Sequence, residues 1–161
     1  VASAQSSKAW QTSNTYATGT SSVIDGPTNS ANMNTASFPA AQFCEAVSTG
    51  GQTDWYMPAK NELEICYFNL KPSTTNNQPY GINPNAIPAR ASNYTSGNPA
   101  QTSASSFQTG GAEAFTTNSY FSSTQYDAGQ AWFQTFHHGV QYFFGYKTNS
   151  RLVRAVRRVA V

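Results

Sequence analysis

Between Ala131 and Lys147 the chain reads Ala-Trp-Phe-Gln-Thr-Phe-His-His-Gly-Val-Gln-Tyr-Phe-Phe-Gly-Tyr-Lys, and this run restricts the fold more than any other. It alternates as a strand does, turns at His138-Gly139, and returns through Val140 to Tyr146. Neighbouring side chains of a strand point to opposite faces, so Phe133, Thr135 and His137 share one side. Trp132, Gln134 and Phe136 share the other. A hairpin that only fills a core puts aliphatic groups inward and charged or small polar groups outward. Here aromatic residues stand on both sides, with no Asp, Glu, Lys or Arg between Trp132 and Lys147. Aromatic surface of this kind marks a binding face. The expected contacts are Phe133, Thr135, His137, His138, Val140, Tyr142 and Phe144, with Trp55, Trp132 and Phe136 in the core. The competing reading buries the same hairpin against another subunit.

The surroundings are unusually neutral. Only 10% of the 161 residues are charged, against roughly 25% in ordinary soluble chains. Ser, Thr, Asn and Gln supply the polarity instead, as in extracellular and virion proteins. A net charge of +2 is too small to argue for nucleic acid. No apolar run reaches the roughly 20 residues of a membrane span, so no membrane insertion is expected. The chain opens on Val1 without a signal-peptide pattern, as expected of a processed product or a piece of something longer.

The length suits one globular unit, divided into an irregular N-terminal segment with a first strand (1–37) and a ligand-binding domain (38–161). The first strand is expected near Lys8-Ala9-Trp10. Pro39 opens a helix whose apolar stripe is Ala40, Ala41, Phe43, Cys44 and Val47, and Gly50-Gly51 closes it. Thr53 to Pro58 reads as a short strand, and a second helix follows through Ala59, Leu63, Cys66, Tyr67 and Leu70. From Lys71 to Gly111 there is little periodicity, a stretch long enough to be functional or folded on itself. Leu152 to Val161 reads as a central final strand. Helices early and strands late predict an α+β domain: two helices, a small, mostly antiparallel sheet and long loops.

Little points to catalysis, metal or cofactor. His137 and His138 have no Asp or Cys at useful spacing, and there is no Gly-x-Ser-x-Gly, phosphate loop or catalytic carboxylate pair. Cys44 and Cys66 form no redox or zinc motif and read as buried thiols, although two packed helices could also bridge them. A buried Arg154 or Arg157 would find a partner in Glu62.

Several landmarks together resemble a known family. Ala40-Ala41-Gln42-Phe43-Cys44, the run Gly50 to Leu63 (GGQTDWYMPAKNEL), Tyr120-Phe121-Ser122-Ser123-Thr124, Ala131-Trp132 and Val153-Arg154-Ala155-Val156-Arg157 are similar to the DUF1566 type of C-type-lectin-like domain. Phe121 stands where that family usually has Trp. The resemblance implies a C-type-lectin-like fold, found on phage tail fibres and bacterial surface proteins. Formylglycine-generating enzymes share a distantly related fold but need reactive cysteines in a cleft, which the two helical cysteines do not supply. Nor is there the acidic cluster of calcium-dependent lectins, so no metal is expected.

The hairpin also resembles the variable proteins of diversity-generating retroelements, in which template adenines are mutated and Asn codons change. The fixed letters of that pattern fall on Ala131, Trp132, Gln134, Phe136, Gly139, Gln141, Lys147 and Arg151. The variable slots fall on Phe133, Thr135, His137, His138, Val140, Tyr142, Phe143, Phe144, Gly145, Tyr146, Thr148, Asn149 and Ser150. None of these is Gln, Lys, Glu, Met or Trp, which an Asn codon cannot reach through its two adenines. These slots, Gly145 aside, are the expected ligand-binding residues. The function implied is that of a phage tail-fibre tip in the virion, a homotrimer beside other fibre proteins, adhering to a host-surface glycan or protein. The alternatives are a virion decoration protein with its aromatics between subunits, or a bacterial surface ligand-binding protein.

Overall fold

Residues 1–159 are described by the computed structural model, in which one five-stranded sheet carries helices on both faces. In chain order the elements are β1 (Gln5–Ala9), α1 (Gly26–Ala31), α2 (Pro39–Glu45), α3 (Lys60–Leu70), β2 (Ser119–Gln125), β3 (Gln130–Thr135), β4 (Gln141–Tyr146) and β5 (Ser150–Arg154). The sheet order is β1-β5-β2-β3-β4, with β2 and β5 parallel and the other pairs antiparallel. The α+β expectation therefore holds, β5 is an interior strand between β1 and the central β2, and β4 lies at an edge with only β3 beside it.

Local chemistry explains the helix starts. Pro39 occupies the first turn of α2, where its missing N–H is not needed. At α3 the Glu62 carboxylate accepts from the N–H of Ala59 at 2.8 Å and of Gly26 at 3.1 Å, tying that helix to α1. The short α1 was not expected, because Gly26-Pro27 reads as a breaker; Asp25 caps it by accepting from the Thr28 N–H at 3.2 Å.

Three expectations about local structure need correction. The helix opened by Pro39 ends at Glu45 with Ala46 as its C-cap, so Val47 lies beyond it and Gly50-Gly51 falls in a separate 3-10 turn, Thr49–Gly51. Thr53 to Pro58 makes no strand but a single bridge, Tyr56 to Val156, before the chain turns into α3. The final strand ends at Arg154, opposite Gln5 where β1 begins; beyond it only single contacts continue, from the Ala2 N–H to the Ala155 carbonyl at 2.9 Å and in the Tyr56–Val156 bridge. Ala160 and Val161, at the end of the expected strand, lie outside the described residues.

Because β2 is buried on both faces, two cores form back to back. On the α2 side lie Trp10, Phe38, Cys44, Trp55, Phe121, Phe133 and Val153; on the α3 side lie Leu63, Cys66, Tyr67, Tyr94, Phe115, Tyr120 and Phe136. Residues 1–37 belong to the same unit: β1 pairs with β5, and the buried Trp10 indole donates to the Ser122 carbonyl at 2.9 Å. Cys44 and Cys66 are free thiols in different cores, and burial pushes both up, Cys66 to about 11.

The arginines pair otherwise than expected. Glu62 meets Arg158 at 2.8 Å, Arg157 meets Asp54 at 2.7 Å, and the buried Arg154 turns toward Glu113 at 3.6 Å. Glu62 sits in the first turn of α3, beside Gly26 and the Tyr56 hydroxyl, and the arginine that reaches it is Arg158, on the segment beyond β5.

The long 71–111 stretch is folded on itself by buried polar anchors. Asn77 accepts from the Tyr67 hydroxyl at 2.6 Å and donates to the Pro99 carbonyl at 2.8 Å. The buried Glu64 carboxylate accepts from Asn83 at 2.6 Å and from the Tyr94 hydroxyl, and pairs with Arg90.

Buried groups of opposite sign set the behaviour of the fold in alkali. Burial depresses Lys147 to about 8, although its ammonium donates to Thr15 and Gln125, both at 3.0 Å. Above about pH 8 the unfolded chain then holds the extra proton at Lys147, a contribution that rises with pH. Burial raises the thiols of Cys44 and Cys66, which in the unfolded chain release their protons from about pH 8.5, so these two groups lower stability over the same range and outweigh the one lysine. Burial also pushes the phenols of Tyr56, Tyr67 and Tyr94 upward, which continues the fall above about pH 10. Urea midpoints should decline from about pH 8.5 upward, and Lys147→Met should steepen the decline. Midpoints that rise between about pH 8.5 and 10 would contradict the assignment.

Candidate functional site

The β3–β4 hairpin is held from three directions. Phe136 leaves β3 and enters the α3-side core, its ring 4.3 Å from Phe115, 4.9 Å from Tyr120 and 5.4 Å from Tyr67. Gly139 takes φ +86, and a Cβ there would stand 2.4 Å from the Tyr67 ring, so glycine is required both by conformation and by space. Gln134 donates to the Gly139 carbonyl at 3.0 Å, and Gln141 donates to the Lys60 carbonyl at 2.7 Å. Behind the turn, the Gln78 N–H donates to the His138 carbonyl at 3.0 Å and the Thr75 hydroxyl donates to that of His137.

On this frame the aromatics form two patches, one on each face of the edge. Phe133, Tyr142 and Phe144 cluster with ring centroids 5.0–5.6 Å apart. Across the sheet, Tyr126 and Phe143 lie 4.6 Å apart and Trp132 meets them at 5.8 and 6.0 Å. The Lys60 ammonium sits 3.9 Å from the centroid of the Trp132 ring. Phe143, Phe144 and Tyr146 are 43, 48 and 55% exposed.

The placement of Trp132 and Phe133 reverses the expected roles. Trp132 is only half-buried: it lies beside the first residue of α3, past the helix's cover, and joins the outer patch. Phe133 is 6% exposed, packed against Phe121 on the α2 side and roofed by Tyr142 and Phe144. It supports the face rather than forming it. Trp55 and Phe136 are buried as expected.

Of the remaining candidates, His137, Thr148, Asn149 and Ser150 are exposed, while Thr135, His138, Val140 and Tyr142 are half-buried. Thr148 and Asn149 lie in the turn between β4 and β5, and Ser150 opens β5 opposite Ala9. Gly145, one of the variable slots, has no room for a side chain: a Cβ would lie 2.8 Å from the Ala131 carbonyl and from the rings of Phe121 and Phe133. Sequence reasoning missed Tyr126 and Lys60 as members of the surface. The Asp127-Ala128-Gly129 turn, which puts Tyr126 beside Trp132, was the available signal for the first.

Burial, then the neighbouring His137, holds His138 below the ordinary histidine range, and its Nδ1 accepts from the Val140 N–H at 3.4 Å. Among the described residues no three His, Cys, Asp or Glu side chains come together. Within the described residues, no helix is long and apolar enough to cross a membrane. Two clefts, of about 470 Å3 beside Trp55 and α1 and about 360 Å3 between α3 and Arg158, take no residue from the hairpin.

Compared with known proteins, residues 2–157 match one family model, the Lcl C-terminal domain. Among curated proteins and solved structures, none matches the chain.

Proposed function

Because the chain belongs to the Lcl C-terminal domain family, related to the DUF1566 type, we propose that it is an adhesive domain binding a host-surface molecule through the β3–β4 hairpin. Its scaffold is C-type-lectin-like, and its setting is the tip of a phage tail fibre. One observation carries the reading: Phe143, Phe144 and Tyr146, three large side chains, are exposed on a single edge strand held by a rigid core. Aromatic rings give much contact area at little entropic cost, so this composition suits recognition. Each contact is small, and a homotrimeric tip with several fibres per particle supplies avidity. The retroelement-like slots make the face a diversified one.

The test separates surface from support. Replacing Phe143, Phe144 and Tyr146 together by Ser should weaken attachment to host cells about tenfold or more while the chain still folds, with a smaller loss of stability than a change in the layer beneath. Phe133→Ala, by contrast, should cost about 3 kcal/mol of stability through the cavity it leaves. Normal attachment by the triple variant would remove the hairpin from the binding site. Loss of trimer assembly in that variant would favour burial of the same rings between subunits.

A further inference from the structure

The face carrying Phe133, Tyr142 and Phe144 continues across the sheet to two cations that, among the described residues, no acidic group answers. Lys8 on β1 and Arg151 on β5 are directly opposed in the register and so share one face. Val153, two residues along from Arg151, belongs to the α2-side core, which places both cations on the face of Phe133. Like charges directly opposed on a sheet repel. Here the repulsion is not relieved locally: among the described residues neither cation has a carboxylate within ion-pair distance. Asp25, Asp54, Glu62, Glu64 and Glu113 are held by other arginines, Asp127 caps its own turn at Gly129 and Gln130, and Glu45 on α2 accepts from the Gln42 side chain at 3.4 Å without reaching either cation.

Arg151 is also set in an unusual way. Its guanidinium carbon lies 3.8 Å from the centroid of the Phe133 ring and 5.5 Å from that of Phe121. Its Nε is buried without an acceptor, whereas neither Nη nitrogen is both buried and unbonded, so the fork end opens to the surface. A guanidinium stacked on a ring and held at its root is prepared to receive a planar oxyanion in two parallel hydrogen bonds.

From this arrangement we infer that the partner is a protein whose surface presents an Asp or Glu carboxylate to Arg151, with Lys8 beside it, among apolar groups that meet Tyr142 and Phe144. The inference rests on the adhesive reading of the hairpin and narrows its partner. A protein fits better than a sugar acid because the hairpin lines none of the clefts of about 360–470 Å3 described on the molecule, and aromatic rings around one arginine are the composition of protein–protein hot spots. The carboxylate sets specificity: a partner without it leaves two desolvated cations unanswered.

Random-peptide display panned on the folded chain tests this without knowing the natural partner. Selected peptides should be enriched in an acidic residue flanked by apolar ones. Arg151→Gln should weaken them about tenfold, and changing the peptide's acid to its amide should do the same. The two changes together should cost little more than either alone. Arg151→Lys, which keeps the charge but loses the fork, should retain part of the binding, and Lys8→Gln should give a smaller loss. Should Arg151→Gln lower the melting temperature, Lys8→Gln and the amide peptide carry the decision. Enrichment without acids, or affinity indifferent to Arg151, Lys8 and the peptide acid alike, overturns the inference. So does binding confined to acidic sugars on a glycan array. Acid-free peptides that still fail on the Phe143, Phe144 and Tyr146 triple variant would sink only the acidic partner; peptides indifferent to every one of these variants would sink the hairpin site as well.

Discussion

Arg90→Met is expected to destabilise the chain by about 3 kcal/mol, the lower end for breaking a buried ion pair. The substitution strands the Glu64 carboxylate, which is 2% exposed, with Asn83 and the Tyr94 hydroxyl as its remaining donors. Those two donors are the reason to place the loss at the lower end. In a chain of this length the melting temperature should drop by about 2–4 °C for each kcal/mol. The damage should also be local, because Glu64 is where the 80–94 segment is fastened to α3. Hydrogen exchange should quicken there and at the hairpin turn, which the neighbouring Thr75 and Gln78 support. Glu64→Gln in the same chain should recover part of the loss by removing the stranded charge. An unchanged melt would mean that the pair is idle.

The second large effect is at Phe136→Ala, for which about 3–5 kcal/mol is expected. Phe136 is fully buried, and three other rings close around it: Tyr67, Phe115 and Tyr120. No neighbour is flexible enough to fill the space, since each ring is itself packed against another. A denaturant midpoint shifted by less than a third of that amount would show that the cluster collapses onto the gap. Because Tyr67 touches both Phe136 and Tyr94, the Arg90 and Phe136 variants share a neighbour and their effects should not simply add.

The elements legible in the sequence were those with their own local signals. Pro39 and the stripe behind it gave α2, the spacing of Leu63, Cys66, Tyr67 and Leu70 gave α3, and alternation around Gly139 gave the hairpin. Alternation also separated Trp132 from Phe133, yet it could not say which side is covered. That depends on where helices end: α3 starts at Lys60 and leaves Trp132 at its margin, while the α2-side core reaches under Phe133. The six-residue α1 has no apolar stripe, and the 71–111 stretch is anchored by Asn77, Lys71 and Glu64, polar residues whose burial no hydropathy pattern records. The partner of Glu62 was illegible for a related reason. It is fixed by the path of the chain after Arg154, a non-local matter.

Gly145 bears on how the hairpin can evolve. Its neighbours in sequence, Phe144 and Tyr146, are about half exposed on an edge strand, and a new side chain at either place has open space to turn into, although at 144 it gives up the cover over Phe133. At 145 any side chain drives into the Ala131 carbonyl and two core rings. If codons along this strand are rewritten together, most substitutions at that one position produce a chain that fails to fold, whatever the others gain. The usable repertoire is then smaller than the number of altered codons implies, and surviving lineages should keep glycine there while everything around it drifts.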